Sequence, residues 1–378
     1  MKIAYVVDDT LDKPDGVQQY VLSVGEWMRK QGHEVHYIVG QSARTDIANV
    51  HSVAWNVPVP FNGNRLTIPL WVSKRRIRQL FDAYDFDVLH VQMPYSPLMA
   101  HRVLRMAAPN VVRVGTFHIL PNSRLVDYMT RCLRYVVRGS LRQLDLVYAV
   151  SDAAKQFADR AFCFSAEVLP NAIRLQPFLR AKPLPEYEKS LNVVYLNRLV
   201  PRKGPHLLLQ AIDYLVHDLA YKRRFKVLVC GKGEMDEELR SYITDHQLED
   251  YVEMLGFVPE KTKARYLASA DIAIYPSTGG ESFGIVLLEG MAAARGVVLA
   301  GNNPGYSCVM KPFPDQLLDP TDTAKLAARI RTYLNNPTKR RDVVRAQRKL
   351  ARQYDIDEIG EKLLQAYKHA LRKRRSVQ

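Results

Sequence analysis

Short apolar runs alternate with stretches whose apolar positions recur every three or four residues, and this alternation continues through most of the chain. Lys2–Val7 reads as a first strand, residues 18–31 as a helix and Glu34–Val39 as a second strand. Val88–Val91, Val111–Val114 and Leu146–Val150 supply further strands with helical segments between them. Strands that alternate with helices in this way form a parallel sheet covered on both faces. From 175 to 190 the periodicity is lost and Pro177, Pro183 and Pro185 interrupt the chain, so this segment reads as a linker. The alternation then restarts with Val193–Leu196, Phe225–Val229, Val252–Leu255, Asp271–Tyr275 and Val297–Ala300. The pattern predicts an α/β protein of two doubly wound domains, 1–174 and 191–355, followed by a helix over 356–371.

A length of 378 residues with 47% hydrophobic side chains suits two such domains with well-buried cores. Cys132, Cys163, Cys230 and Cys308 are widely spaced and form no C-x-x-C pair, which argues against a zinc cluster or a disulfide framework and for a reducing compartment. The first strand turns acidic at Asp8 and Asp9 before a signal-length apolar segment accumulates, and no apolar run reaches the ~18 residues of a membrane span. A cytoplasmic protein is expected.

The net charge of +15 changes this picture, because it predicts attraction to a polyanion. Lys74, Arg75, Arg76 and Arg78 open one helical segment. Arg131, Arg134, Arg138 and Arg142 recur at helical spacing opposite Leu133, Val136, Val137 and Leu141, and residues 372–375 are all cationic. A basic amphipathic helix of this kind suits an anionic headgroup layer. The alternative reading is a basic nucleic-acid-binding protein with a Rossmann-like fold. That reading calls for aromatic side chains interleaved with the cations and has no use for paired carboxylates; no nucleic-acid motif is present, so no nucleic acid is expected.

The densest chemistry lies in residues 279–289, Gly-Gly-Glu281-Ser282-Phe283-Gly284-Ile285-Val286-Leu-Leu-Glu289, directly after the apolar strand Asp271–Tyr275. Ser282 reads as the cap of a helix from Phe283 to about Ala294. Free N–H groups of Gly284, Ile285 and Val286, together with the helix dipole, then favour a diphosphate. Glu281 precedes the helix and Glu289 lies about 9 Å along it at ~1.5 Å per residue, so the carboxylates can hold opposite ends of a ligand whose phosphates lie between them. A nucleotide sugar has that shape. Arg198-Leu-Val-Pro-Arg202-Lys203-Gly204 follows the first strand of the second domain, where Arg198 and Lys203 can stabilise a leaving diphosphate as its charge grows. Gly16, in the loop after the first strand, lets the backbone approach a phosphate closely. No G-x-G-x-x-G is present, which argues against a nicotinamide-dependent oxidoreductase. Asp85-Phe86-Asp87 has the spacing of a metal-binding pair but leads directly into the strand at Val88. With two cations available for the phosphates, neither a metal nor a cofactor is expected.

The E-x7-E pattern and its setting resemble the retaining glycosyltransferases of family 4, which have the GT-B fold. The resemblance implies two Rossmann-like domains facing a central crevice, with the helix 356–371 packing back on the first. It implies that Glu281 holds hydroxyls of the donor sugar and Glu289 the ribose of the nucleotide, with Ser282, Phe283, Gly284, Ile285 and Val286 on the donor between them. Arg198 and Lys203 match the family's phosphate-binding loop, where Asn197 stands in place of a frequent glycine. Gly16 matches the second of two adjacent glycines, Asp15 replacing the first. His118, in Gly115-Thr116-Phe117-His118, matches the histidine that contacts the transferred sugar near the reacting carbon. The segments Gly16-Val17-Gln18, Phe61-Asn62-Gly63-Asn64-Arg65, the basic helix at Lys74, His118 and residues 279–284 are together most similar to phosphatidylinositol mannosyltransferases. That similarity implies GDP-mannose as the donor and the inositol headgroup of a membrane lipid as the acceptor; a soluble small molecule or a polysaccharide intermediate is the alternative acceptor. It places Gln18, Asn62 and Arg65 on the acceptor side, and Lys74, Arg75, Arg76 and Arg78 against the inner face of an anionic membrane. No nucleophilic carboxylate is identifiable on the opposite face of the sugar, which points to a front-side route in which the leaving diphosphate helps deprotonate the acceptor.

Overall fold

The computed structural model describes residues 1–12, 15–61, 64–121 and 124–376. The chain divides into two compact units, Met1–Ala172 together with Ile356–Gln378, and Ile173–Asp355. The first unit contains β1 (Lys2–Val7), α1 (Gly16–Lys30), β2 (Glu34–Val39), β3 (Val50–Ser52), β4 (Asn56–Phe61) and β5 (Asn64–Pro69). It continues with α2 (Lys74–Ala83), β6 (Val88–Val91), α3 (Met99–Met106), β7 (Val112–Phe117), α4 (Arg124–Leu141), β8 (Leu146–Ala149), α5 (Asp152–Phe162) and β9 (Glu167–Val168). Its parallel sheet has the order β3-β2-β1-β6-β7-β8-β9, while β4 and β5 form a separate antiparallel hairpin. The hairpin escapes a strand reading because Pro58, Pro60 and Pro69 interrupt it, and proline cannot donate to a ladder.

The second unit contains α6 (Gln176–Leu179), β10 (Asn192–Leu196), α7 (Pro205–Asp213), β11 (Lys226–Cys230), α8 (Asp236–Asp245), β12 (Val252–Gly256) and α9 (Glu260–Ala268). Then follow β13 (Ile272–Tyr275), α10 (Ile285–Ala293), β14 (Val297–Gly301), α11 (Pro304–Met310), β15 (Leu317–Leu318), α12 (Thr323–Asn335) and α13 (Pro337–Arg352). The sheet order is β12-β11-β10-β13-β14-β15. Counted within the unit this is 3-2-1-4-5-6, the doubly wound order, whose reversal between β10 and β13 leaves room for a ligand at the carboxyl ends of the strands. The last helix, α14 (Ile356–Arg375), returns to the first unit.

Strand alternation builds a core on each face of the first sheet. Ile3, Tyr5 and Val7 pack with α1 and α14 on one face, while Ala4 and Val6 pack with Ile77, Leu80, Met99 and Val103 of α2 and α3 on the other. Helix α14 is fixed by buried Ile359, Leu363 and Tyr367, and the Trp27 indole donates to Asp357 at 2.8 Å. It runs past Leu371 to Arg375, where Arg374 pairs with Asp145 at 2.8 Å.

The segment 175–190 is not a linker. Phe178, Leu184 and Tyr187 are buried, the Leu184 N–H donates to the Ser269 hydroxyl at 3.0 Å, and Arg295 donates to the Glu188 carbonyl at 2.7 Å while pairing with Asp271 at 2.7 Å. Pro177 and Pro185 stand in the first turns of short helices, where proline is tolerated, so the segment lies as a strap on the second unit.

Candidate active site

Two loops of the second unit leave its sheet at the reversal point, residues 197–204 after β10 and 276–284 after β13. Ser277 joins them, its hydroxyl 2.9 Å from the Arg202 carbonyl and 2.8 Å from Glu281 Oε1, and the Thr278 N–H donates to the same carbonyl at 2.9 Å. Asn303 supports Ser277 from below, donating to its carbonyl at 3.0 Å while its own Oδ1 caps α11 at the Tyr306 N–H. Gly204 has φ +67, and a Cβ there would lie 2.1 Å from the Pro276 carbonyl oxygen, so a larger residue would drive the loops apart.

Between the loops lies a buried charge cluster. Lys203 Nζ is 2.6 Å and Arg202 Nη1 3.0 Å from Glu281 Oε1. Burial would raise the Glu281 carboxyl, but Lys203 and then Arg202 hold it below the ordinary glutamate value. Burial pulls the Lys203 ammonium down against the opposing pull of Glu281, and Arg202 and Arg198 add to that fall. Two cations thus hold one carboxylate, and Arg198 lies near enough to Lys203 to lower it further, an excess of positive charge suited to an anion with many oxygens. The sequence singled out Arg198 and Lys203 and passed over Arg202, whose only signal was its place beside Lys203.

Ser282 does not cap the following helix. Helix α10 begins at Ile285, and its cap is Gly284 at φ +121 with no side-chain capping bond. That dihedral breaks the helical path two residues after Ser282, and a Cβ on Gly284 would lie 2.7 Å from the Tyr306 ring. Ser282 and Phe283 therefore belong to the loop, Phe283 being buried with its ring 5.7 Å from that of Tyr354. The Leu287 N–H closes on the Gly284 carbonyl at 3.0 Å, and Ile285 and Val286 form the head of the helix.

Glu289 lies on α10, buried, with Lys263 Nζ of α9 at 2.6 Å; Lys263 also reaches Glu260 at 2.8 Å. Burial raises the Glu289 carboxyl in spite of Lys263, while Glu289 and Glu260 together lift the Lys263 ammonium against its own burial. Phe178 of the strap covers this pair, its ring centroid 5.4 Å from Lys263 Nζ. Lys263 was not anticipated, although it shares the buried face of α9 with Ala264 and Leu267.

In the first unit, Gly16 opens α1 after Asp15, whose side chain makes no capping bond. Gln18 is buried and donates to Asp9 Oδ2 at 3.3 Å, and the Thr67 hydroxyl donates to the other oxygen of Asp9. Asn62 lies outside the described residues; Arg65 is on β5, its side chain likewise outside them. His118 follows β7, with Nε2 2.8 Å from Gln92 Oε1 and its ring 5.6 Å from that of Tyr20. Burial lowers this imidazole to about 3, so it is neutral, with the proton on Nε2. Asp87 accepts the Lys2 N–H at 2.8 Å and thereby anchors the start of β1. Among the described residues no group of three His, Cys, Asp or Glu side chains could hold a metal ion. Helix α2 is capped by Ser73 at the Arg76 N–H, buries Ile77 and Leu80, and exposes Lys74, Arg75, Arg76 and Arg78.

Residues 14–176 match the profile described as Glycosyltransferase Family 4, and residues 179–350 that of Glycosyl transferases group 1. Over 372 residues, 97% of this chain and 96% of its relative, the sequence is 31% identical to the phosphatidyl-myo-inositol mannosyltransferase of Mycobacterium leprae. The chain belongs to the family 4 glycosyltransferases. A phosphatidylinositol N-acetylglucosaminyltransferase component of Arabidopsis thaliana is 25% identical over 340 residues, covering 86% of this glycosyltransferase and 73% of that protein. The fold is GT-B: a crystal structure of Anabaena Alr3699/HepE in complex with UDP superposes with a TM-score of 0.78 at 19% identity, covering 98% of this chain and all of that one. No helix of this glycosyltransferase, among the described residues, is long and apolar enough to cross a membrane.

Proposed function

We propose that this glycosyltransferase moves mannose from GDP-mannose to the inositol headgroup of phosphatidylinositol, at the inner face of an anionic membrane, with the anomeric configuration retained and without a metal. The observation that carries the site assignment is the cluster of Arg202 and Lys203 on Glu281 at the reversal of the second sheet. When the donor binds, Arg198, Arg202 and Lys203 take the diphosphate, and the head of α10 adds its dipole. Glu281 is released to the sugar hydroxyls, and Glu289, held by Lys263, receives the ribose. Stabilising the departing diphosphate is then the main catalytic term. His118 is assigned to the transferred sugar by the family resemblance, and its neutral ring offers a hydrogen-bonding partner without charge. The mannose and inositol assignments are supported by relatives of the Mycobacterium leprae kind, which match along nearly the whole chain.

N-acetylglucosamine on the same acceptor is the second reading, favoured by the similarity to the Arabidopsis thaliana protein. Thermal unfolding with GDP-, UDP- and ADP-sugars separates the two, since a ligand at about 100 times its Kd adds about 2.7 kcal/mol. GDP-mannose should stabilise the protein most. Incubation with phosphatidylinositol vesicles should yield mannosyl lipid with the donor's anomeric configuration, in the presence of EDTA. An inverted product, or activity lost to EDTA and restored by magnesium or manganese, would overturn the mechanism.

A further inference from the structure

Five of the ten large apolar side chains exposed among the described residues lie on α4, which makes this helix rather than α2 the main apolar surface of the first unit. Leu125, Tyr128, Met129, Tyr135 and Val136 are 59% to 70% exposed. At about 100° per residue they fall, with the exposed Cys132, in one arc of about 120°. Thr130, Val137, Ser140 and Leu141 fill the buried arc, where α4 packs on α3 and α5. The apolar side expected from the sequence is thus divided: Val136 joins the exposed stripe, while Val137 and Leu141 are buried. The arginines occupy the arc between, flanking the apolar stripe: Arg131 pairs with Asp127 at 2.5 Å, and the Arg134 guanidinium lies 4.8 Å from the Tyr135 ring centroid.

Helix α2 has a different surface. Its apolar residues Ile77 and Leu80 are buried, and its exposed side is polar and cationic. Both helices pack on α3, so they lie on the same face of the sheet. Trp55 and Trp71, 60% and 67% exposed and joined by a backbone hydrogen bond of 3.2 Å, stand just before α2. Arginines beside an apolar stripe, with tyrosines and tryptophans, are the complement of an anionic headgroup layer over acyl chains, where aromatic rings settle and long cationic stems reach outward.

We propose that α4 inserts its apolar stripe into the headgroup–acyl boundary of an anionic bilayer, providing a salt-resistant hold that the cationic α2 cannot supply. The inference rests on the reading that the acceptor is a membrane lipid, but it is testable without the acceptor. Coulombic attachment through α2 is screened by salt, whereas burial of apolar surface is not.

The full chain is sedimented with vesicles of equal parts phosphatidylglycerol and phosphatidylcholine at about 0.1 M and about 1 M sodium chloride, where the Debye length falls from ~10 to ~3 Å. The wild type should keep a bound fraction at high salt. Leu125→Gln, Met129→Gln and Val136→Gln together should lower the high-salt partition coefficient at least about tenfold, the equivalent of about 1.4 kcal/mol. Because all three positions are exposed, far-UV circular dichroism and thermal stabilisation by the nucleotide sugar should be unchanged. A fluorophore on Cys132, with Cys163→Ser and Cys308→Ser, should shift to the blue on binding vesicles. Equal high-salt binding by the triple variant, or none by the wild type, overturns the proposal. So does a triple variant that dissociates a dimer in ultracentrifugation and binds vesicles normally, which would make the stripe a contact between copies. Insertion without sugar transfer to phosphatidylinositol would instead refute the acceptor assignment and leave α4 as the anchor.

Discussion

Replacing Lys263 by Met keeps an unbranched side chain, one atom shorter, and removes its charge, leaving Glu289 buried without its ammonium at 2.6 Å. Removing one partner of a buried pair costs about 3–5 kcal/mol, because the remaining charge is left uncompensated. The second unit spans residues 173–355, and at about 2–4 °C per kcal/mol for a domain of that size its melting temperature should fall by roughly 6–20 °C. The pH dependence distinguishes this from lost packing. Burial raises the Glu289 carboxyl even with Lys263 present, and without Lys263 it rises further. A carboxyl whose folded value lies above its unfolded value adds stability in acid and loses it as pH climbs through the folded value. The Lys263→Met deficit should therefore be small near pH 4 and complete by pH 8, and adding Glu289→Gln should recover most of it. Calorimetry or far-UV circular dichroism must be used, since Trp27, Trp55 and Trp71 all lie in the first unit. A deficit below about 1 kcal/mol, or one equal at both pH values, would refute the buried-pair account.

Glu281→Ala and Lys203→Ala should each reduce transfer at least about a hundredfold in a folded protein, the scale of deleting one electrostatic stabiliser; near-normal turnover in either would remove the site. Glu289→Ala should raise the donor KM more than it lowers kcat, because a ribose contact is remote from the reacting carbon, and an unchanged KM would count against it. Burial raises Asp8 to about 7, and it accepts the Ala100 N–H at the start of α3. Stability from its protonated form is present in acid and lost as pH rises through about 7, so Asp8→Asn should gain on the wild type between pH 5 and 8, by on the order of 1–4 kcal/mol in urea unfolding. A constant difference across that range would disprove it. Neutralising Lys74, Arg75, Arg76 and Arg78 together should weaken low-salt binding to anionic vesicles, at on the order of 1 kcal/mol per cation, and leave donor binding intact; equal affinity for anionic and neutral vesicles would contradict that role.

The doubly wound fold was legible because β1, β6, β10 and β13 are buried on both faces and so appear as short, largely apolar runs, with His90 the polar exception inside β6. Glu281 and Lys203 were legible as members of local motifs, but the contact between them joins residues 78 positions apart and depends on which strands are neighbours. The Ser282 cap failed because helix entry is decided by the left-handed turn at Gly284, and a glycine in sequence does not declare its φ. The strap was misread because its anchors, Arg295 and Ser269, are distant in sequence. Lys263 shows the converse: a lysine on the buried face of α9 is visible as an anomaly, but only its partner Glu289 explains it.

The return of α14 to the first unit has a consequence for synthesis. Trp27 and Tyr5 share a core with Ile359, Leu363 and Tyr367, which emerge only after residues 173–355 have been made. At about 5–20 residues per second this leaves the first sheet with an open apolar face for roughly 10–40 s, while the second unit, continuous in sequence, can fold as soon as it appears. The domain that begins first is thus completed last. During that interval its uncovered strands are the part of the nascent protein most in need of a chaperone, and a chain stopped at Asp355 would keep them exposed for good.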